Sequence, residues 1–343
     1  MKNTCFHKAW MKKTIYLLSF LLLVVFASID DQRQAHAAME TEKLRLGISA
    51  PDYPLFFGLV LLARENGFFD DAGLDITYKN YPHGVASLTS LSKGETDLAI
   101  SAEFPFVKQT LTGRNDQIIA SIAEVDVMHL IARKDKGIRQ PADLKNKRIG
   151  IIRGSQLEYC LENYLLSHGL TMDNVTVLNI MPPDMPKSII DGALDAIVFR
   201  EPMISLIKAE LGERVVNWPI QNKQKVYWVV AGTEEYLQQH PKSLKRFISA
   251  LRKAELFYQV DSEIALDIIR RKGKSDEQLF QKIQPQVEYT LSLSQSMLIA
   301  LENEARWHIE NNYTDIKKVP NYLNYINFTA MDSIYPEAVN IVH

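Results

Sequence analysis

The chain of 343 residues is poor in cysteine, with Cys5 and Cys160 alone. Cys5 falls in an N-terminal stretch set apart below, so Cys160 stands by itself and no intramolecular disulfide is expected. Charge of one sign is lacking too: 39 Lys and Arg face 41 Asp and Glu, a formal net charge of -2. Without a basic stripe there is no electrostatic footprint for nucleic acid. No H-E-x-x-H, P-loop, G-x-G-x-x-G or G-x-S-x-G occurs, so nothing recommends catalysis and no cofactor is expected. His83 and His129 have no partner at metal-ligand spacing and read as structural, so no metal site is expected. Beyond residue 27 no apolar run is long enough to span a bilayer as a helix. What remains is ordinary globular composition, 46% hydrophobic and 23% charged, at a length that suits two domains of about 150 residues.

The N-terminus is distinctive. Lys2, Lys8, Lys12 and Lys13 precede an apolar run of 13 residues, Ile15 to Ala27, and a polar stretch then ends in Ala35-His36-Ala37. A basic start, a short apolar run and a small-residue site describe a secretory signal peptide, expected over 1–37. The run is shorter than the about 20 residues of a membrane-spanning helix, the alternative being an uncleaved anchor. Val25-Phe26-Ala27 is a second cleavage option, and Met11-Lys12-Lys13 a second start. Cleavage after Ala37 removes five bases (Lys2, Lys8, Lys12, Lys13, Arg33) and two acids (Asp30, Asp31), leaving a net charge of -5. No cysteine stands at that site for lipid attachment, so a free protein in the periplasm is expected.

The rest of the chain alternates strands with helices. Leu44 to Ile48 reads as a strand, Leu55 to Asn66 as a helix stopped by Gly67, and Ile76 to Tyr78 as a second strand. Val85 to Ser92 reads as a helix, and Leu98 to Ile100 as a strand after the Gly94–Asp97 turn. The same pattern returns from Lys147. Gly47 and Gly150, Gly73 and Gly169, and Asp97 and Asp195 lie 103, 96 and 98 residues apart, which suggests two lobes of one β-α-β-α-β build. Two apolar stretches, Met128–Arg133 and Val226–Ala231, are the expected crossover strands between them. After Thr233, an N-cap candidate, helices are expected at Ser243–Tyr258, Ser262–Arg271, Ser275–Ile283 and Leu293–Glu310. The expected fold is α/β, with lobe 1 formed by 42–127 plus 232–343 and lobe 2 by 128–231.

Several stretches carry a family resemblance: Pro54-Leu55-Phe56 through Glu65-Asn66-Gly67-Phe68-Phe69-Asp70-Asp71-Ala72-Gly73-Leu74-Asp75-Ile76, Leu91-Ser92-Lys93-Gly94-Glu95-Thr96-Asp97-Leu98-Ala99-Ile100, Asp143-Leu144-Lys145-Asn146-Lys147-Arg148-Ile149-Gly150, Gly192-Ala193-Leu194-Asp195-Ala196 with Glu201-Pro202, and Tyr335-Pro336-Glu337-Ala338-Val339. In order and spacing the chain resembles the NMT1/THI5-like and SsuA/TauA-like periplasmic substrate-binding proteins of ABC importers. The resemblance covers nearly all of the chain beyond residue 37. It implies a type II periplasmic-binding-protein fold and capture of a small ligand of the nitrate, sulfonate, taurine or pyrimidine-precursor class. It further implies delivery to an inner-membrane ABC permease, with a monomer expected. The yeast-type THI5 synthases carry a cysteine cluster that this chain lacks, which argues against that enzymatic branch. A ligand-sensing protein that signals to a membrane receptor would need the same cleft.

In open α/β sheets ligands bind at the carboxyl ends of strands, where helices begin and free N–H groups favour anions. Four such junctions give the candidate site. From the first comes Asp52 with Tyr53, from the second Ser101, Glu103 and Phe104, from the third Arg153, Gly154, Ser155 and Gln156, and from the fourth Arg200 and Glu201; Trp228 joins from a crossover strand. Arg153-Gly154-Ser155-Gln156 reads as an anion cradle, or else as a plain helix cap beside a solvated arginine. Arg200 suits a bidentate contact to an oxyanion, or else an ion pair with Glu201. Glu103 and Glu201 favour a ligand with a cationic or N–H-donating part. Tyr53, Phe104 and Trp228 would stack on an apolar body, or else serve packing.

Overall fold

The computed structural model describes residues 41–50, 52–274 and 276–342. The expected signal peptide and its cleavage sites lie outside the described residues.

Two sheets organise the chain. The first holds β1 (Glu42–Ser49), β2 (Leu74–Tyr81), β3 (Leu98–Ala102), β4 (Asp116–Val125), β10 (Val226–Thr233) and β11 (Val287–Glu288), in the order β11-β4-β10-β3-β1-β2. The second holds β5 (His129–Arg133), β6 (Arg148–Ile151), β7 (Thr176–Asn179), β8 (Ala196–Phe199) and β9 (Val215–Pro219), in the order β7-β6-β8-β5-β9. The five strands of the second match five of the first in order, and β11 at the edge of the first has no counterpart. In the first, β2, β1 and β3 run parallel, and β10 pairs antiparallel with β3. In the second, β7, β6 and β8 run parallel, and β5 pairs antiparallel with β8. The parallel strands β3 and β8 are buried along almost their whole length, as strands covered on both faces must be.

The antiparallel strands are exchanged. The chain leaves the first sheet at β4 and enters the second at β5; it leaves the second at β9 and returns at β10. The crossing segments are therefore 126–128 and 220–225, and the apolar stretches expected at the crossover stand at their ends. This corrects the expected lobe boundary. Val226–Ala231, assigned to the end of the second lobe, pairs with β3 and β4 in the first. Gln221 ties the two crossings together. Its Oε1 accepts from the N–H groups of Val127 (2.6 Å) and Met128 (2.8 Å), and its Nε2 donates to the Val125 carbonyl at 2.9 Å.

The repeat has a chemical signature. Arg45 on β1 donates from its backbone N–H (2.7 Å) and its side chain to Asp97. Arg148 on β6 does the same to Asp195 (backbone N–H, 2.9 Å). Each aspartate fixes the turn that feeds β3 or β8.

The helices that shape the site are α1 (Gly58–Glu65), α2 (Gly84–Ser92), α3 (Glu103–Thr110), α4 (Gln156–Ser167) and α5 (Met203–Leu211). A C-terminal helical layer follows, with α6 (Pro241–Val260), α7 (Ser262–Lys272), α8 (Glu277–Ile283) and α9 (Gln295–Glu310). Leu244, Phe247, Ile248, Leu251 and Ala254 form the buried stripe of α6, at the spacing of one helix face. Burying each of its Leu, Ile and Phe side chains contributes about 1.5–3 kcal/mol. Asp276 caps α8, its side chain accepting from the Leu279 N–H. Pro54–Phe57 form a 3-10 turn before α1, so the expected helix begins three residues late. The strand β4 had no counterpart in the sequence reading, because its apolar run shows no alternation.

Candidate functional site

The carboxyl ends of β1, β3, β6 and β8 face one another across a cavity of about 300 Å³ between the sheets. Three helices of at least eight residues begin at its wall: α2 at Gly84, α3 at Glu103 and α4 at Gln156. The first N–H groups of a helix have no carbonyl partner within it, and its dipole is positive at that end. Gly84 is required by space. A Cβ there would stand 2.2 Å from Ser101 Oγ and 2.9 Å from Pro105 Cγ, so α2 and α3 approach closely only over a glycine.

The wall is mostly apolar. Phe56 and Trp228 stack with ring centroids 4.8 Å apart, and Phe104, Val127, Met128 and Leu157 add to it. The charged lining is wholly basic in type: Arg200 and Lys108, with His83 at the rim. No carboxylate lines the cavity among the described residues. Arg200 is the pivotal group. Its guanidinium lies 5.0 Å from the Tyr53 ring centroid and 5.2 Å from that of Phe199. Its Nε is buried and has no hydrogen-bond partner. A buried donor left unpaired costs about 1–3 kcal/mol, and more when charged, until a ligand acceptor meets it.

The structure sorts the sequence candidates. Phe104, Gly154, Ser155, Gln156, Arg200 and Trp228 line the cavity together. Tyr53 stands just behind, under Arg200, its hydroxyl donating to the Glu201 carbonyl at 3.4 Å. Five expectations are corrected. Asp52 is exposed and off the cavity wall. Ser101 is buried behind the wall, where its Oγ faces Gly84. Arg153 turns away to pair with Glu158 at 2.8 Å. Glu158 also accepts from the Gly154 N–H at 2.7 Å, so the expected anion cradle is filled from within the lobe. Glu201 accepts from the Ser205 N–H at 3.0 Å in the first turn of α5, and is not paired with Arg200. Glu103 is fully buried and accepts from Tyr227 N–H and from Gln156. Ser155 lines the cavity and also caps α4, accepting from the Leu157 N–H at 3.2 Å.

Lys108 and His83 were not foreseen at the site. His83 caps α2, its Nδ1 accepting from the Ala86 N–H at 3.2 Å. The cap could have been read from the strand-to-helix boundary; no sequence signal marks Lys108.

Comparison with known proteins gives the family. The NMT1/THI5-like family model matches residues 56–261. The chain belongs to the NMT1/THI5-like family. A putative binding protein of Brucella abortus is 23% identical over 78% of this chain and 81% of its own length. A Bacillus subtilis relative, named as a putative aliphatic sulfonates-binding protein, is 22% identical over 75% of this chain and 77% of its own. Among solved structures, the periplasmic aliphatic sulphonate binding protein SsuA from Escherichia coli superposes with a TM-score of 0.70 at 16% identity, covering 83% of this chain and 92% of that one. The fold of this family member is thus the type II periplasmic-binding-protein fold, with its cavity where the two sheets meet.

Proposed function

We propose that this protein captures a small organic anion, with an apolar body behind its charged group, in the cleft between the lobes. The observation that carries the reading is Arg200, whose buried Nε has no partner in a cavity lined without a carboxylate. The anionic group meets Arg200, and the body lies against Phe56, Phe104 and Trp228. This replaces the expectation of a cationic ligand part, since Glu103 and Glu201 face elsewhere. The names of the Bacillus subtilis and Escherichia coli proteins support an organic sulfonate.

The further steps belong to the same proposal. The chain is exported to the periplasm with residues 1–37 removed. It acts as a monomer, closes about the segments 126–128 and 220–225, and passes its ligand to an ABC permease. It binds without catalysis: Cys160 is buried, its thiol pushed up by desolvation, and it lies off the cavity wall. Isothermal titration with alkyl and aryl sulfonates, aromatic carboxylates, nitrate and a cationic amine tests the reading. Heat from an organic anion and none from the amine is expected. Binding of the amine in preference overturns it.

A further inference from the structure

Glu103 and Glu304 are both fully buried, one opening α3 and the other midway along α9. One side chain of the second lobe reaches both. Gln156 Nε2 donates to Glu103 Oε1 at 3.0 Å and to Glu304 Oε1 at 3.4 Å. Glu103 Oε2 also accepts from the Tyr227 N–H at 2.9 Å, whereas Glu304 Oε2 is buried without a partner.

Among the described residues no cation pairs with either carboxyl group. Tyr159 and Cys160 face the pair from α4, and Tyr322 faces Glu304 from the C-terminal segment. Tyr227 faces Glu103 from β10. His308, one turn along α9, donates from Nδ1 to the Glu304 carbonyl at 2.8 Å. Farther out, Asp126 faces Cys160 and Lys108 faces His308. Two adjacent carboxylates sealed from water do not both ionise. Glu103, with two N–H donors, is the better home for the charge. Glu304, with one long amide contact, is the better home for a proton, whose O–H donates to Glu103. Desolvation raises both groups above the usual carboxylate range; the charge on Glu103 adds to the cost of ionising Glu304, whereas the contact from Glu304 favours the charge on Glu103.

The second lobe supplies one side of the seal. Gln156, Tyr159 and Cys160 all belong to α4, and Tyr159 packs on Phe104 with ring centroids 6.2 Å apart. The Gln156 contacts to both carboxyl groups exist only while the lobes touch. Gln156 also lines the ligand cavity, so the residue that completes the carboxyl pair borders the ligand.

We propose that Glu103 and Glu304 form a proton-binding site completed only by contact between the lobes, so that closure of the cleft takes up one proton and Gln156 acts as the positioning residue between proton and ligand. The coupling to ligand rests on the function proposed above; the proton site itself does not. The sign follows from the raised groups. Closure is favoured where the pair holds its proton, and is progressively opposed as pH rises from the ordinary carboxylate range toward that of the closed pair. One linked proton changes the closure equilibrium by up to about tenfold per pH unit in that window.

Small-angle X-ray scattering on the ligand-free chain tests the site apart from any ligand. At about pH 8 the wild type is expected to have a larger radius of gyration than at about pH 5, while Glu304→Gln stays compact at both. Glu103→Gln carries the same test should Glu304→Gln fail to fold. A wild-type radius that does not change with pH overturns the proposal, as does a change that persists in both variants. Failure of every ligand to bind would sink the functional reading and leave this result standing.

Discussion

The guanidinium of Arg200, at the end of β8, lies over the ring of Tyr53, which precedes α1 in the other lobe, 5.0 Å from its centroid. The contact sets the cation beside a ring of the other lobe, and its buried Nε has no hydrogen-bond partner. Arg200→Lys keeps the charge but loses the planar fork, so affinity for an organic anion should fall at least tenfold. Tyr53→Leu removes the ring face, worth about 0.5–1 kcal/mol at a partly exposed site, and the long hydroxyl contact to the Glu201 carbonyl at 3.4 Å. Titration calorimetry on both variants should rank Arg200→Lys as the more damaging.

Arg153 gives the opposite expectation. It is bound to Glu158, half-exposed and off the cavity wall. Arg153→Ala should leave the dissociation constant unchanged; it leaves the buried Glu158 with only the Gly154 N–H and Tyr313 hydroxyl as donors, and should lower stability by about 1–3 kcal/mol. A large loss of affinity would place Arg153 at the ligand after all.

Ser155 and Gly84 are structural residues at the cavity wall. Ser155→Ala removes the cap of α4 and should cost about 1 kcal/mol in urea unfolding. Gly84→Ala forces a methyl into Ser101 and Pro105. It should cost about 1–3 kcal/mol as overpacking, and should weaken ligand binding as α2 moves off α3.

Asp195 sets an acid limit on the second lobe. Desolvation pushes its carboxyl up, but the hydrogen bonds and charge of Arg148 outweigh that and hold it below its ordinary value. The folded form therefore binds its proton more weakly than the unfolded chain. Its stabilisation is present above about pH 4, the unfolded value, and is lost as pH falls through the folded one. Urea midpoints measured against pH should fall more steeply on acidification in the wild type than in Asp195→Asn.

Much of this molecule was legible in the sequence, for physical reasons that can be named. The doubled strand-helix pattern showed through Gly47 with Gly150 and Asp97 with Asp195, because a repeat needs the same turn twice. Arg200, Ser155 and Trp228 were legible because a strand end, a helix start and an apolar strand each place a side chain at a known edge. Glu103 and Arg153 misled because spacing locates a residue on an element but not its rotamer or partner. Glu158, four residues beyond Gly154, took both Arg153 and the Gly154 N–H. Glu304 is 201 residues from Glu103 in sequence, and no local pattern pairs them. Trp228 makes the site visible in solution: its stack on Phe56 forms the wall, so ligand should change tryptophan fluorescence in the wild type and by less in Trp228→Phe, where Trp307, packed on Phe104, still reports.

The most direct measurement is a thermal-shift comparison of the wild type with Arg200→Ala, each with a panel of alkyl and aryl sulfonates and aromatic carboxylates. A ligand at about 100 times its dissociation constant stabilises the fold by about 2.7 kcal/mol. The account predicts at least one such shift in the wild type and its loss in Arg200→Ala. No shift from any organic anion, or an equal shift in both proteins, would contradict it.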